Sequence, residues 1–155
     1  MCYNKFPKRN ERREDMRTSA RAIIIQNGEL LTMFRHREKD GKVKEYYVIP
    51  GGGREEGEKL EDTVKRELQE EMNVEIKVLG YLGKREDSET CAHYFHCQII
   101  NGAPTLGGEE LDRMSKANFY EPRFVPLSEV ESLDMNGKEF VKMAMENKHT
   151  EQVEM

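Results

Sequence analysis

The sequence predicts an α/β domain, because segments with strand-like patterns surround one segment with a clear helical period. Segment 18–26 is rich in β-branched and apolar residues, and Asn27-Gly28 separates it from a second apolar run. An Asn-Gly pair between two apolar runs is the strongest short-range signal for a β-hairpin. Further along the chain, apolar residues recur every four positions, which is a helical spacing, at Leu60, Val64, Leu68 and Met72.

The remaining segments extend this pattern within one domain. We expect further strands at 29–35, 45–49, 74–83, 90–100 and 124–127, and helices at 59–72, 129–133 and 137–147. The polar segment 106–122 is too long for a simple connection and predicts a functional loop over a site. We therefore assign a single domain to 17–148, with a charged N-terminal arm at 1–16 and a frayed tail at 149–155.

Composition and charge narrow the classes of function. The chain has 155 residues, enough for one domain with its own core, of which 36% are hydrophobic and 35% charged. No apolar run reaches the roughly 18 residues that suggest a membrane span, and the N-terminal residues show no secretory signal. The net charge of −5 argues against a nucleic-acid partner. Three cysteines without a metal-site spacing predict reduced thiols in a cytoplasmic protein.

The helix at 59–72 carries three carboxylates at the edge of its apolar face. At about 100° per residue, Glu67, Glu70 and Glu71 fall within an arc of roughly 100° beside the apolar side chains. Like charges at these spacings destabilise a helix, and partial burial adds to the cost. A divalent cation would offset the repulsion, and oxygen-only ligands select Mg²⁺, with Mn²⁺ as the alternative ion. The helix alone leaves open the other interpretation, a solvated acidic helix.

A glycine-rich loop precedes this helix and favours the metal-site interpretation. Pro50-Gly51-Gly52-Gly53 lets the backbone approach a ligand or a metal without interference from Cβ atoms. The loop also lies just before a helix N-terminus, where free N–H groups and the helix dipole favour anions. The loop, the helix start and the three carboxylates together predict a metal-assisted phosphate site.

The stretch 52–74 resembles the Nudix box, G-x5-E-x7-R-E-U-x-E-E-x-G-U, in which U is an aliphatic residue. The matching residues are Gly52, Glu58, Arg66, Glu67, Leu68, Glu70, Glu71 and Val74. The one departure is Asn73, where the family has a glycine that ends the helix, and asparagine is the next-best residue for that left-handed conformation. The resemblance implies the family's α/β/α sandwich over 18–147, with a mixed sheet and the box forming a loop and a helix.

The same resemblance implies a metal-binding set and a catalytic set. Glu67, Glu70 and Glu71 would bind the metal and take part in catalysis. Gly51 or Gly52 would add a backbone carbonyl as a further metal ligand. The metal would polarise the phosphoryl oxygens and lower the pKa of the attacking water.

Two further roles follow from the family pattern. Glu58 and Arg66 would form a structural ion pair that positions the loop on the helix. The general base varies in this family and is either a box glutamate or a glutamate on a later loop. In the second case Glu110, or its neighbour Glu109, is the candidate, with an ordinary solvated acid as the alternative.

Three residues before the box are candidates for substrate contacts. Arg35 and Arg37, at the end of the second predicted strand, could contact a phosphate or a base, although surface charge is the simpler interpretation. Tyr47 could stack on a nucleobase, and packing in the core is its alternative role.

The resemblance implies a Nudix pyrophosphohydrolase that cleaves a diphosphate linkage in a nucleoside diphosphate derivative. Candidate substrates are a nucleoside triphosphate, an oxidised nucleotide or a compound of the ADP-ribose type. The first alternative is a catalytically silent Nudix-fold module that binds or senses a nucleotide, and the second is an isomerase acting on isoprenyl diphosphates. The expected partner is a small nucleotide-like molecule; no membrane contact is expected, and the resemblance allows a homodimer.

Overall fold

The computed structural model describes residues 17–106 and 114–152. Its strands are β1 (Arg17–Gln26), β2 (Glu29–Lys39), β3 (Lys42–Val48), β4 (Gly51–Gly53), β5 (Glu75–Glu86), β6 (Thr90–Asn101) and β7 (Asn118–Pro126). Its helices are α1 (Leu60–Met72), a 3₁₀ helix (Leu127–Ser132) and α2 (Lys138–Met145).

The described strands form one mixed sheet in the order β3-β2-β1-β6-β5, to which β4 and β7 add at β1 and β2. β1 and β6 run parallel, and the other strand pairs are antiparallel. β1 and β2 pair only next to their hairpin turn, where Asn27 and Gly28 both have positive φ, as the Asn-Gly signal predicts. Beyond that turn the sheet separates into two parts, β1-β4-β5-β6 and β2-β3-β7.

Apolar side chains cover both faces of the sheet, because successive side chains of a strand point to opposite faces. On one face Ala22 and Ile24 of β1 and Phe95 of β6 pack in a buried cluster with the apolar side of α1. On the other face Ile23 and Tyr94 join a second buried cluster with α2. This two-sided cover confirms the expected α/β/α arrangement.

The helix α1 begins one residue after the predicted start and ends where the sequence predicts. Asn73 caps its C-terminus in the left-handed conformation, with φ 58° and ψ 36°, and its N–H donates to the carbonyl of Gln69 over 3.1 Å. The Asn73 amide also donates to the hydroxyl of Thr105 over 3.0 Å. A glycine could not make this side-chain contact, so the departure from the family pattern ties the helix end to the segment after β6.

Two segments differ from the expected secondary structure because strand pairing outweighs local composition. The predicted glycine loop contains the short strand β4, whose backbone pairs with β1. The predicted loop 106–122 is strand from residue 118 onward, because β7 pairs with β2 along nine residues, from Asn118 to Pro126. A ladder between distant segments leaves no local signal in a polar sequence.

One residue of the expected tail at 149–155, Thr150, makes a backbone contact with the sheet. The N–H of Thr150 donates to the carbonyl of Tyr81 over 2.7 Å, which places the tail beside β5, an edge strand. The arm 1–16, Glu109 and Glu110, and residues 153–155 lie outside the described residues. Within the described residues, no helix is both long enough and apolar enough to cross a membrane.

Candidate active site

A cavity of about 680 Å³ lies between the box and the β2-β3-β7 part of the sheet. The box side of its wall contains Gly51, Gly52, Gly53, Glu67 and Glu71, next to Arg17, Thr18, Ser19 and Arg21 of β1. The opposite side contains Met33, Arg35, Lys44, Tyr46, Tyr47, Val48 and Tyr120. The cavity therefore brings the predicted glycine loop, two of the three box glutamates and two of the predicted substrate-binding residues to one place.

The glycine loop is held by backbone pairing on one side and by a contact with a carboxylate side chain on the other. Its three residues pair with Ser19, Ala20 and Arg21 of β1. On its other side the N–H of Gly51 donates to Glu71 Oε1 over 3.3 Å. The loop thus lies between β1 and the carboxylate side of α1, which fixes the distance between the loop backbone and the glutamates.

Gly52 allows the closest approach between the loop and the helix. A Cβ atom on Gly52 would overlap the carboxylate of Glu67. A Cβ atom on the next residue, Gly53, would meet no heavy atom within 4 Å. The position of the Glu67 carboxylate therefore requires a glycine at residue 52, but not at residue 53.

The guanidinium of Arg66 connects the loop to the helix through all five of its N–H groups. Nε and Nη2 donate to the two oxygens of Glu58 over 2.8 and 3.0 Å, and Nη2 also donates to the carbonyl of Gly53 over 2.9 Å. Nη1 donates to Glu67 over 2.8 Å and to Glu70 over 3.1 Å. These contacts include the Glu58–Arg66 ion pair that the family pattern implies, and they raise the pKa of Arg66.

Glu58 is held as a carboxylate by several donors. Besides Arg66, the hydroxyl of Thr63 donates to it over 2.8 Å and the N–H of Glu55 over 3.1 Å. These contacts, with the Arg66 hydrogen bonds as the largest cause, lower the pKa of Glu58 from 4.5 to about 2. The side chain is only 16% exposed, so the donors replace the water that this carboxylate would otherwise bind.

The three box glutamates differ in their surroundings. Glu67 and Glu71 are partly buried and line the cavity, whereas the side chain of Glu70 is 60% exposed and does not line it. Glu70 nevertheless shares Arg66 Nη1 with Glu67, so their two carboxylates lie on the same guanidinium nitrogen. The favourable contact with Arg66 offsets part of the repulsion between them.

The donor chemistry here fits a hard divalent cation. The Glu67 carboxylate lies against the backbone of Gly52, and carboxylate and backbone oxygens are the ligands that hard divalent cations prefer. In the described part of the chain, no three His, Cys, Asp or Glu side chains already converge as a complete ligand set. Glu67 and Glu70 would have to exchange a contact with Arg66 for one with the cation.

The structure separates the three predicted substrate-binding residues. Arg35 and Tyr47 line the cavity, but Arg37 does not, because it lies two residues further along β2 in its exposed end. The guanidinium of Arg35 lies over the ring of Tyr120, 4.4 Å from its centroid. Its Nε is buried and has no hydrogen-bond partner among the described residues.

Several cavity residues were not predicted from the sequence. Asp134, Met135 and Asn136, between the 3₁₀ helix and α2, line the wall, as do Arg85 and Asp87 from the β5-β6 hairpin. None of them belongs to a motif with fixed spacing. In the sequence, 134–137 is recognisable only as a loop between two predicted helices. Its Asn-Gly pair indicates a turn but gives no sign that the loop lines a cavity.

The lowered pKa of Glu58 predicts a stability change in acid. A group with a depressed folded-state pKa stabilises the fold above its unfolded pKa, and this contribution is lost as the pH falls from about 4.5 to about 2. We expect Glu58→Gln to lower the free energy of unfolding by about 1–2 kcal/mol near neutral pH, since solvent screens part of the interaction. Urea unfolding across this pH range should show the difference from wild type shrinking in acid. A difference that stays constant would contradict this assignment, and Glu56→Gln, an exposed neighbour on the same loop, is the control.

The close approach at Gly52 predicts unequal effects of two neighbouring substitutions. Gly52→Ala should displace the Glu67 carboxylate and lower kcat by about 100-fold, because small displacements at a reacting centre have effects of this size. Gly53→Ala should stay within a few-fold of wild type, because its Cβ meets open space. Steady-state assays of both variants, with circular dichroism to confirm folding, test the pair. Equal activities would show that the Gly52–Glu67 contact does not matter for turnover.

Solved structures with the same fold support the assignment of the architecture. An ADP-ribose pyrophosphatase from Streptococcus suis aligns with a TM-score of 0.59 at 18% identity, over 89% of this chain and 96% of its own. A MutT NUDIX hydrolase from Burkholderia pseudomallei aligns with a TM-score of 0.57 at 19% identity, over 84% and 95%. A MutT protein from Methanosarcina mazei aligns with a TM-score of 0.59 at 19% identity, over 87% and 96%. No curated protein sequence matches the chain.

Sequence comparison with protein families gives the same result independently of the coordinates. The family model of the NUDIX domain matches residues 16–144, which include both parts of the sheet, the box and all of α2 except its last residue. The match extends far beyond the box motif and covers most of the chain. The chain belongs to the Nudix family.

Proposed function

We propose that this Nudix hydrolase uses Mg²⁺ to cleave a diphosphate linkage in a nucleoside diphosphate derivative. The observation that carries the proposal is the shared cavity. Glu67, Glu71 and the glycine loop form one side of it, while Arg35 and its tyrosine neighbours form another. Carboxylates that can bind a metal ion and an arginine that can bind a phosphate or a base thus face the same cavity. This cavity is large enough for a nucleotide.

Glu67, Glu70 and Glu71, with a backbone carbonyl of Gly51 or Gly52, are the residues that would hold the ion. Their oxygen-only donor set favours Mg²⁺, with Mn²⁺ as the alternative. When bound, such a cation supplies a Lewis acid for the diphosphate oxygens and lowers the pKa of a water molecule.

The chain's own residues position the reactants and move the proton. Arg66 and Glu58 keep the loop backbone against α1, so the carboxylates stay in register with the glycines. A carboxylate would take the proton of the attacking water. A box glutamate and Glu110, with Glu109 beside it, are the candidates for this base; Glu109 and Glu110 lie outside the described residues.

The cavity wall favours an anionic substrate with an aromatic part. Arg17, Arg21, Arg35, Lys44 and Arg85 all contribute to the wall and attract phosphate. Tyr46, Tyr47 and Tyr120 offer rings on which a nucleobase could stack. The names of two similar structures, an ADP-ribose pyrophosphatase and a MutT protein, support ADP-ribose compounds and nucleoside triphosphates, ordinary or oxidised, as the first substrates to test.

We also propose the cytoplasmic location that the cysteines predict. Cys91 and Cys97 are free thiols, and both are buried. Burial raises the pKa of each thiol, which keeps both in the less reactive protonated form. Two protonated thiols in the core are typical of a protein that works in a reducing compartment.

A substrate panel tests the reaction and its metal requirement. Nucleoside diphosphate derivatives should be hydrolysed with Mg²⁺ and not with EDTA, and Glu70→Gln should lower kcat by about 100-fold or more. Glu61→Gln, an exposed acid in the first turn of the same helix, is the matched control and should stay near wild type. Product analysis then shows which phosphorus is attacked. If none of the substrates is hydrolysed in the presence of metal but nucleotides still bind, the result would favour the catalytically silent binding module.

The two arginines of β2 give a second test, aimed at substrate contacts. Arg35→Ala should raise KM about tenfold or more, because it removes a charged donor from the cavity wall. Arg37→Ala should leave KM unchanged, because Arg37 does not line the cavity. Steady-state kinetics on the best substrate measure both. A larger increase in KM for Arg37→Ala than for Arg35→Ala would contradict this assignment and place the substrate near Arg37.

A further inference from the structure

Two histidines that do not line the cavity meet beside the edge of the sheet. His96 lies on β6, and His149 follows α2 in the C-terminal segment. Their Nδ1 and Nε2 atoms are 3.0 Å apart, and the ring planes meet at 64°. No step of the proposed hydrolysis uses either residue, so this contact needs its own explanation.

The surrounding backbone is shaped to receive the ring of His149. Gly80 on β5 pairs with His96 in the sheet, next to a break in the strand register. A Cβ atom on Gly80 would overlap the ring of His149. The next residue, Thr150, pairs with Tyr81 through a hydrogen bond of 2.7 Å. The ring of His149 is therefore held in the space that the missing side chain of Gly80 leaves, and by the backbone hydrogen bond of Thr150.

Burial of one ring favours its neutral form. Burial, and then the nearby His149, lower the pKa of His96. Two charged neighbours of His149 in this segment, Glu146 and Lys148, are 3.2 Å apart and form an exposed ion pair with each other, and Glu151 is exposed. A neutral imidazole is the form that binds a transition metal.

We propose that His96 and His149 form a two-histidine site for a divalent transition metal that fastens the C-terminal segment to the sheet. With nitrogen–metal distances of about 2.05 Å, nitrogens 3.0 Å apart subtend an angle of about 95°. That angle matches neighbouring positions in a square-planar or octahedral complex, whereas a tetrahedral one would need about 3.3 Å. Imidazole nitrogens suit Ni²⁺ and Cu²⁺, and water would supply the remaining ligands.

Ni²⁺ titration of the full chain tests the site, with excess Mg²⁺ present to occupy the carboxylates. Calorimetry should show one Ni²⁺ site in the wild type that His96→Phe and His149→Phe weaken at least tenfold, since even the loss of a ligand's hydrogen-bond partner has an effect of that size. Phenylalanine keeps an aromatic ring in place and removes only the ligating nitrogens. His36→Phe, which removes the ring nitrogens that contact Glu45, is the matched control and should leave Ni²⁺ affinity unchanged.

Hydrogen exchange gives a readout that does not depend on enzyme activity. Ni²⁺ should slow exchange of the Thr150 amide about tenfold in the wild type, because the bound ion holds the segment on Tyr81. Addition of Ni²⁺ should leave the exchange rate of the Thr150 amide unchanged in His149→Phe. Equal Ni²⁺ affinity in wild type, His96→Phe and His149→Phe would overturn the proposal and leave a hydrogen bond between two rings as the whole role of the pair.

Discussion

The contacts of the Arg66 guanidinium are the constraint on which the candidate site depends. One planar group with five donors binds the loop carbonyl of Gly53, the carboxylate of Glu58, and both Glu67 and Glu70. A lysine could not do this, because a single ammonium lacks the rigid fork that reaches several acceptors at fixed angles. The group is only 21% exposed, so these contacts are shielded from much of the solvent that weakens surface ion pairs.

The two sides of the cavity are built by different means. On the box side, backbone pairing and the Arg66 network hold glycines against carboxylates. On the β2-β3-β7 side, aromatic rings support cations: Arg35 lies over Tyr120, and Lys44 lies 5.1 Å from the centroid of Tyr46. The first arrangement suits an ion that must be placed accurately. The second tolerates different ligands, because stacked rings and long side chains adapt to shape.

The local features of the fold and the site could be predicted from the sequence, and the non-local ones could not. The periodic apolar residues locate α1, and the side-chain chemistry of Asn73 predicts how it ends. The glycine loop and the carboxylates of α1 belong to a motif of fixed spacing, but that motif does not indicate that Gly52 lies against Glu67. The start of β7 at Asn118 and the docking of Thr150 depend on partners far away along the chain, whose pairing leaves no trace in a short window. Arg35 and Arg37 looked equivalent because alternation gives the face of a strand, but not where the cavity wall ends.

In β1, the backbone anchors the glycine loop and the side chains line the cavity, so different groups serve the two roles. Three glycines have no side chains to interlock, so β1 holds the loop through amide and carbonyl groups that every residue except proline provides. Side chains at Ser19 and on the neighbouring positions of β1 can therefore change without loosening this attachment. Substitutions on β1 can in this way change the shape and charge of the cavity wall while the backbone pairing that holds the glycine loop stays the same.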